Sequence, residues 1–296
     1  GEDLRSLPPA SNTGGKSLGP ITEPPSLGAL FLFPRRDPVH DRKGEDGAVL
    51  VERWRVWSVT RRVMVDVDFP VGGAIVDTFT FTFPEAALRR VLPRSMVSDL
   101  DVCQSIHSLL HPLLGLSIGP EIPRKNFYAK SVQLMWCGAH DAVNAGFVAA
   151  GGNSDTVCVH ITGEGCAKLE RRHWAALYVL LVDLGARISR ADLAFDDFAG
   201  GASVEWVAAA WLLGAFNNGG RNPKANPVGF SPFGEEVALS NPDGRTFYVG
   251  SRESDVLFRA YEKGKQQGDP VSPWVRHEAE WKGRDRVIPL DVVLRP

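Results

Sequence analysis

Between Thr78 and Phe83 the chain reads T-F-T-F-T-F, and that order constrains the fold more than any other stretch. Strict alternation puts every phenylalanine on one side of an extended strand and every threonine on the other. Such a strand has one dry face and one wet face. That is the pattern of antiparallel sheets, since parallel strands buried on both faces read as continuous apolar runs. Pro84 and the run E-A-A-L-R-R-V-L follow. A helix is expected there, opened by a proline whose missing N–H costs nothing in a first turn.

The same reasoning carries down the chain. Ser98-Asp-Leu-Asp caps a second helix with Val102, Ile106, Leu109 and Leu110 on one side, and Pro112 marks its end. Strands are expected at about 127–136, 143–150 and 156–162. A long helix over about 166–184 carries Cys166, Leu169, Trp174, Leu177, Leu180, Leu181 and Leu184, with Gly185 as its stop. A strand at Arg187–Phe198 and a helix from Ser203 to Phe216 come next, then an irregular Gly/Pro/Asn loop over 217–227. Strands outnumber helices, so the fold class is α+β, a mainly antiparallel central sheet with helices packed on it.

Residues 1–30 are rich in Pro, Gly and Ser and bury too little apolar surface to fold alone. Residues 35–62 are basic with interleaved tryptophans, either a strand with a wet face or a DNA-backbone contact. Two regions are therefore expected, an arm and basic segment over 1–74 and a main domain over 75–296. G-G-K-S at Gly14–Ser17 is not a phosphate loop, because Ala10 stands where the first glycine should. Four scattered cysteines without C-x-x-C spacing suit reduced thiols in a cytoplasmic protein. His107 and His111 stand at i, i+4 but lack a third ligand nearby, so an ordinary helix face is preferred to a zinc site. No apolar run reaches the ~18 residues that span a bilayer. A net charge of −2 does not decide for or against nucleic acid, which responds to where charges lie.

Three segments carry chemistry. Arg190-x-Asp192-x-Ala194-x-Asp196, Arg259-x-Tyr261-x-Lys263-x-Lys265 and Arg276-x-Glu278-x-Glu280-x-Lys282 each put charged or nucleophilic groups at alternate positions. Read as strands, each turns these groups to one face. If the strands are neighbours, Asp192, Asp196, Glu278 and Glu280 offer oxygen ligands to Mg2+ or Mn2+. Arg190, Arg259, Lys263, Lys265 and Arg276 are then left to hold phosphate. The alternative for each segment is a strand exposed on one side with incidental charges.

At the centre stands one hydroxyl, Tyr261. A free phenol has a pKa of about 10 and attacks weakly at neutral pH, so a nearby metal or ammonium is needed to stabilise the phenolate. Of the other tyrosines, Tyr178 lies in an apolar helix and Tyr248 has no cations at i±2. Tyr128, in R-K-N-F-Y-A-K, suits base stacking and has no carboxylates nearby in sequence. The plainer reading of Tyr261 is a half-buried strand tyrosine. No H-x-H pair occurs, so a metal-dependent nickase built on this chain would need carboxylate ligands in place of that histidine pair.

I-S-R-A-D-L-A-F-D-D-F, the loop G-G-R-N-P, and G-R-T-F-Y-V-G-S-R-E-S-D-V-L-F-R-A-Y-E-K-G-K-Q followed by W-V-R-H-E-A-E-W are similar to the replication initiation factors of the Rep-trans type. The resemblance covers roughly residues 75–285. It implies a rolling-circle initiator of plasmids or filamentous phages that nicks one strand of the double-strand origin, leaving a 5′-phosphotyrosine and a free 3′-OH. It places the nucleophile on Tyr261 and the metal on Asp192 and Glu278, with Glu280 and Asp196 beside them, while Lys263 and Lys265 are read from their spacing as assisting the phenol. Arg190, Arg259, Arg276, Arg221 and Lys224 become the DNA and phosphate contacts. Origin DNA, a host helicase and a polymerase are the implied partners, in a bacterial cytoplasm without membrane attachment, and a homodimer is one arrangement. A further C-terminal region for origin recognition or dimerisation is also expected. Two alternatives stay open: a conjugative relaxase with the same chemistry, and a non-catalytic origin-binding protein.

Overall fold

The computed structural model describes residues 51–70, 73–92, 95–138, 141–217, 220–230 and 244–294. The N-terminal arm, the G-G-K-S stretch and the basic residues Arg35 to Lys43 lie outside them. The first described element is a hairpin, β1 (Val51–Ser58) with β2 (Val63–Pro70). Arg53 and Arg55 pair across it with Asp68 and Asp66, while Trp54 and Val56 turn inward. The basic, Trp-containing segment therefore forms a strand with a wet face and a dry one over its described part.

After the hairpin come β3 (Ala74–Pro84), α1 (Glu85–Val91), α2 (Asp99–Ser105), α3 (His107–Leu114), β4 (Leu116–Glu121), β5 (Lys130–Cys137), β6 (Ala142–Ala150) and β7 (Thr156–Ile161). The second half contains α4 (Gly163–Ala167), α5 (Arg171–Asp183), β8 (Arg187–Asp197), α6 (Val204–Leu212), β9 (Ala225–Val228), β10 (Thr246–Val249), β11 (Val256–Tyr261), α7 (Lys263–Gln266) and β12 (Val275–Lys282). Ten strands form one sheet in the order β4-β5-β6-β7-β3-β8-β12-β11-β10-β9, with every assigned pair antiparallel. The fold is α+β, as the alternation of β3 requires.

Phe79, Phe81 and Phe83 are fully buried, and α5 lays Trp174, Leu177 and Leu181 over the same core. Phe79 meets Trp174 edge-on, with ring centroids 6.1 Å apart. Each such side chain contributes on the order of 1.5–3 kcal/mol by leaving water. Further along the same sheet face, α6 packs Val204, Val207 and Ala208 on Phe247, Val249, Ala260 and Val275. Directly paired residues share a face, so the opposite face carries Thr78, Thr80, Arg190, Asp192, Asp196, Glu278, Glu280, Arg276, Arg259 and Tyr261. Sequence alternation thus sorts the sheet into one face that holds the helices and one that holds the charges.

Several boundaries differ from expectation because polar caps interrupt apolar runs. The long helix expected over 166–184 is two helices: Thr162 caps α4, and Glu170 opens α5, its backbone N–H donating to His173 Nδ1 at 2.9 Å. The helix expected to end at Pro112 breaks earlier, at Ile106, and Pro112 lies inside α3. At Gly146, in β6, φ is +138° and a Cβ would fall 1.9 Å from the His160 carbonyl oxygen, so only glycine permits the β6–β7 approach.

Candidate active site

The three charged segments are adjacent in space: β8 pairs with β12, and β12 with β11. In register, Tyr261 faces Arg276, which faces Asp196; Arg259 faces Glu278; and Glu280 faces Asp192. Alternate residues on three neighbouring strands therefore build one patch. Asp192 and Glu278 are each 1% exposed and Tyr261 is 9% exposed, although all three carry polar groups.

The patch is wired by charge. Arg190 donates from Nε and Nη2 to both oxygens of Asp192, at 2.8 and 2.6 Å, and reaches Glu280 at 3.1 Å. Lys282 pairs with the other oxygen of Glu280 at 2.9 Å. Arg276 clasps Asp196 with two donors at 2.7 Å and sends a third to Asp77 at 2.6 Å. Trp274 Nε1 also donates to Asp196, at 2.7 Å. Arg259 pairs with Glu278, yet its Nε, buried, finds no acceptor among the described residues. A buried donor without an acceptor costs on the order of 1–3 kcal/mol, which an incoming anion can recover.

Tyr261 donates its phenolic O–H to Glu278 Oε2 at 3.3 Å. The Arg259 guanidinium and the Lys263 ammonium each stand 5.7 Å from the centre of its ring. Burial pushes the phenol above its ordinary pKa and the Glu278 charge adds to this, while Arg276 and Arg259 pull the other way. Burial likewise raises the carboxyls of Asp192 and Glu278, against the stabilising guanidiniums of Arg190 and Arg259. Asp196 goes the other way: burial would raise it, but hydrogen bonds from Arg276 and Trp274 prevail and hold it low. The site therefore sets a phenol that resists ionisation against a carboxylate whose affinity for a proton is raised by burial.

Asp192 and Glu278 fit a hard divalent cation of the kind held by one or two carboxylates together with phosphate and water. Their charges oppose one another in a buried setting, which a divalent ion would relieve. A cage of four carboxylates is a different matter. Among the described residues no three His, Cys, Asp or Glu side chains group to hold a metal. All four carboxylates are paired with cations, Asp192 with Arg190, Glu278 with Arg259, Asp196 with Arg276 and Glu280 with Arg190 and Lys282, so a divalent ion would compete with those partners.

Not every sequence candidate joins the patch. β11 ends at Tyr261 and the chain turns into α7, so the strand alternation expected through Lys265 stops four residues early. The turn is forced where Gly264 packs on Ser272, whose Oγ would lie 2.1 Å from any Cβ there. Lys263 keeps its place beside the Tyr261 ring, whereas Lys265 turns to Glu262 at 2.9 Å. Arg221 and Lys224 are both exposed, in the loop that enters the edge strand β9. Tyr128 is 2% exposed with its hydroxyl 2.7 Å from Thr156 Oγ1, so it is not free to stack on a base.

Two residues were missed. Tyr248 pairs with Arg259 in register and shares the Tyr261 face, although its neighbours in sequence give no hint of this. Asp77 is the second. The pairing of β3 with β8 slips between Val76 and Thr78, leaving Asp77 as the extra residue of a bulge that re-aims its side chain at Arg276. The signal was present: Asp77 stands in phase with Phe79, Phe81 and Phe83, a carboxylate on the dry side of an alternating strand.

Residues 186–295 match the family model described as replication initiation factor. The match spans β8 to the C-terminal end and contains all three charged strands, so the resemblance holds over this part of the chain. A solved structure titled as a rolling circle replication initiator protein from Geobacillus stearothermophilus is similar at 24% identity and a TM-score of 0.49, covering 75% of this chain and 77% of that one. No curated protein matches the chain. Among the described residues no helix is long and apolar enough to cross a membrane.

Proposed function

We propose that this chain, with its replication initiation factor signature, is a rolling-circle initiator whose Tyr261 face nicks one strand of an origin. The hydrogen bond from Tyr261 to Glu278, between Arg259 and Arg276, is the observation that carries this reading. Tyr261 Oη attacks phosphorus, its proton passes to Glu278 Oε2, and the P–O3′ bond breaks. The 3′ oxygen takes a proton from solvent. The products are a phosphodiester bond from Tyr261 to the 5′ phosphate and a free 3′-OH, and the reverse path rejoins the strand without ATP.

The residues divide the work by charge. The unpaired Nε of Arg259 and the guanidinium of Arg276 face the negative charge that grows on phosphate. Lys263 stabilises the phenolate as it forms. Its own pKa is lowered, by burial first and by Arg276 next, as expected of an ammonium in a cationic pocket. Arg190 holds Asp192 in place from both oxygens. Asp192 and Glu278 would hold Mg2+ or Mn2+, which when bound polarises the phosphodiester. A host helicase and polymerase would then extend the 3′-OH in the bacterial cytoplasm.

The test is incubation of the chain with supercoiled DNA carrying the origin of its own replicon, with Mg2+ or Mn2+, beside Tyr261→Phe. Open circles bound covalently to the wild-type protein, and absent with the variant, are expected. Equal nicking by both would remove Tyr261 from the reaction, and binding without nicking by either would leave an origin-binding protein.

A further inference from the structure

We propose that the loop between β4 and β5 is a docking point for an unpaired base of the DNA strand held at Tyr261, with Phe127 as its stacking platform. The identity of the strand rests on the nicking reading above; the platform itself rests on the loop. Phe127 is 100% exposed, with φ +66°, and Asn126 before it has φ +51°. A bulky residue seldom adopts this left-handed backbone, which persists only where surrounding structure imposes it.

The surroundings do impose it. Tyr128 is buried with Ala149 and Cys158, and its hydroxyl is tied to Thr156. Asn126 Nδ2 lies 3.9 Å from Cys158 Sγ, Lys125 N donates to Ser131 Oγ at 3.0 Å, and Ala129 N donates to the Gly151 carbonyl at 2.8 Å. The residues on both sides are fastened to the sheet while the ring between them is held out in water. No packing need explains an aromatic ring in that position. Arg124 and Lys125, both exposed, have no ion-pair partner among the described residues. An exposed aromatic flanked by free cations matches the chemistry of single-stranded nucleic acid, a π-face for the base and positive charge for the phosphates.

The loop also sits on the face where a strand would run. Its anchor Cys158 pairs with Thr82, and along the same strands His160 pairs with Thr80, and Thr80 with Arg190. These residues share the Tyr261 face. Across the strands, β7 to β11 is four spacings, about 19 Å, and along them Cys158 stands level with Arg187 and Tyr261 level with Asp196, about 30 Å further on. An extended single strand of about six nucleotides covers the resulting distance of about 35 Å.

Fluorescence anisotropy of the full chain with labelled oligothymidylate at low salt tests this, against an abasic oligomer of equal length and a duplex. Phe127→Ala is expected to weaken binding of the oligothymidylate roughly ten-fold and Phe127→Trp to restore it, with the abasic oligomer unaffected by either. Unchanged affinity in Phe127→Ala, an equal loss on duplex, or no binding by the wild-type chain would each overturn the proposal. Covalent capture by Tyr261, followed in parallel, separates the two readings. Capture without Phe127 dependence removes the platform alone, and Phe127-dependent binding without capture removes the nicking reading alone.

Discussion

Asp77 and Arg276, 199 residues apart in sequence, meet in a 2.6 Å ion pair beside Tyr261. Arg276 is gripped from the other side by Asp196, so its guanidinium has little freedom. Asp77 is a positioning residue in this arrangement. Asp77→Asn is expected to slow cleavage by ~10–100-fold, the range in which a displaced group near a reacting centre acts. The loss should fall in the rate of covalent capture at saturating DNA and leave DNA affinity within about two-fold. A loss confined to affinity would show that Asp77 serves binding instead.

Glu278 should set the acid limb of the pH–rate profile. Burial raises its carboxyl above the ordinary glutamate range, and a general base works only when ionised. Cleavage is therefore expected to rise with pH as the Glu278 carboxyl ionises, at a pH set by burial against the opposing charges of Arg259 and the bound divalent ion. In Glu278→Gln the limb should vanish together with most of the activity. An acid limb that survives in this variant assigns the proton acceptor elsewhere.

Metal dependence should separate Asp192 from Asp196. Chelation is expected to stop cleavage and to lower the melting temperature modestly, since an ion bound to the folded state stabilises it. Asp192→Asn should weaken Mn2+ binding, read directly from the free-ion paramagnetic signal, by about ten-fold or more. Asp196→Asn should leave Mn2+ affinity near wild type and loosen Arg276 and Trp274 instead, since it is Asp192 and not Asp196 whose charge acts on Glu278. The reverse result would place the metal beside Arg276.

The residues of the patch were legible in the sequence because period 2 is a strong signal: Arg190, Asp192, Arg259, Tyr261, Arg276 and Glu278 all lie where alternation puts them. Their adjacency was not, since strand order is set by long-range pairing that no local pattern encodes. Asp77 escaped for a related reason. A one-residue bulge reverses the phase of a strand, and T-F-T-F-T-F shows the phase only after the bulge. Lys265 was misplaced because a strand ending in R-A-Y-E-K-G-K keeps its alternation on paper while the close packing of Gly264 on Ser272 turns the chain. Tyr128 is turned inward and Phe127 outward by a left-handed backbone, which sequence pattern does not report for residues other than glycine.

Glu262 follows Tyr261 directly and faces away from the patch, where it ties Arg245 and Lys265 together at 2.6 and 2.9 Å. Burial works to raise its carboxyl, but the hydrogen bonds from Arg245 and Lys265 outweigh burial and hold it at about 2, against 4.5 for an unperturbed glutamate. A group whose folded pKa is depressed stabilises the fold above its unfolded value and loses that contribution as pH falls through the folded one. The stabilisation is thus complete above pH 4.5 and disappears as the pH drops to about 2. Glu262→Gln should lower unfolding free energy near neutral pH by roughly 1–3 kcal/mol and flatten its pH dependence across that interval. Urea titrations of both proteins at several pH values measure it. Parallel curves for the two proteins throughout would mean that the cluster adds nothing to the fold and that the turn after Tyr261 is held by Gly264 and Ser272 alone.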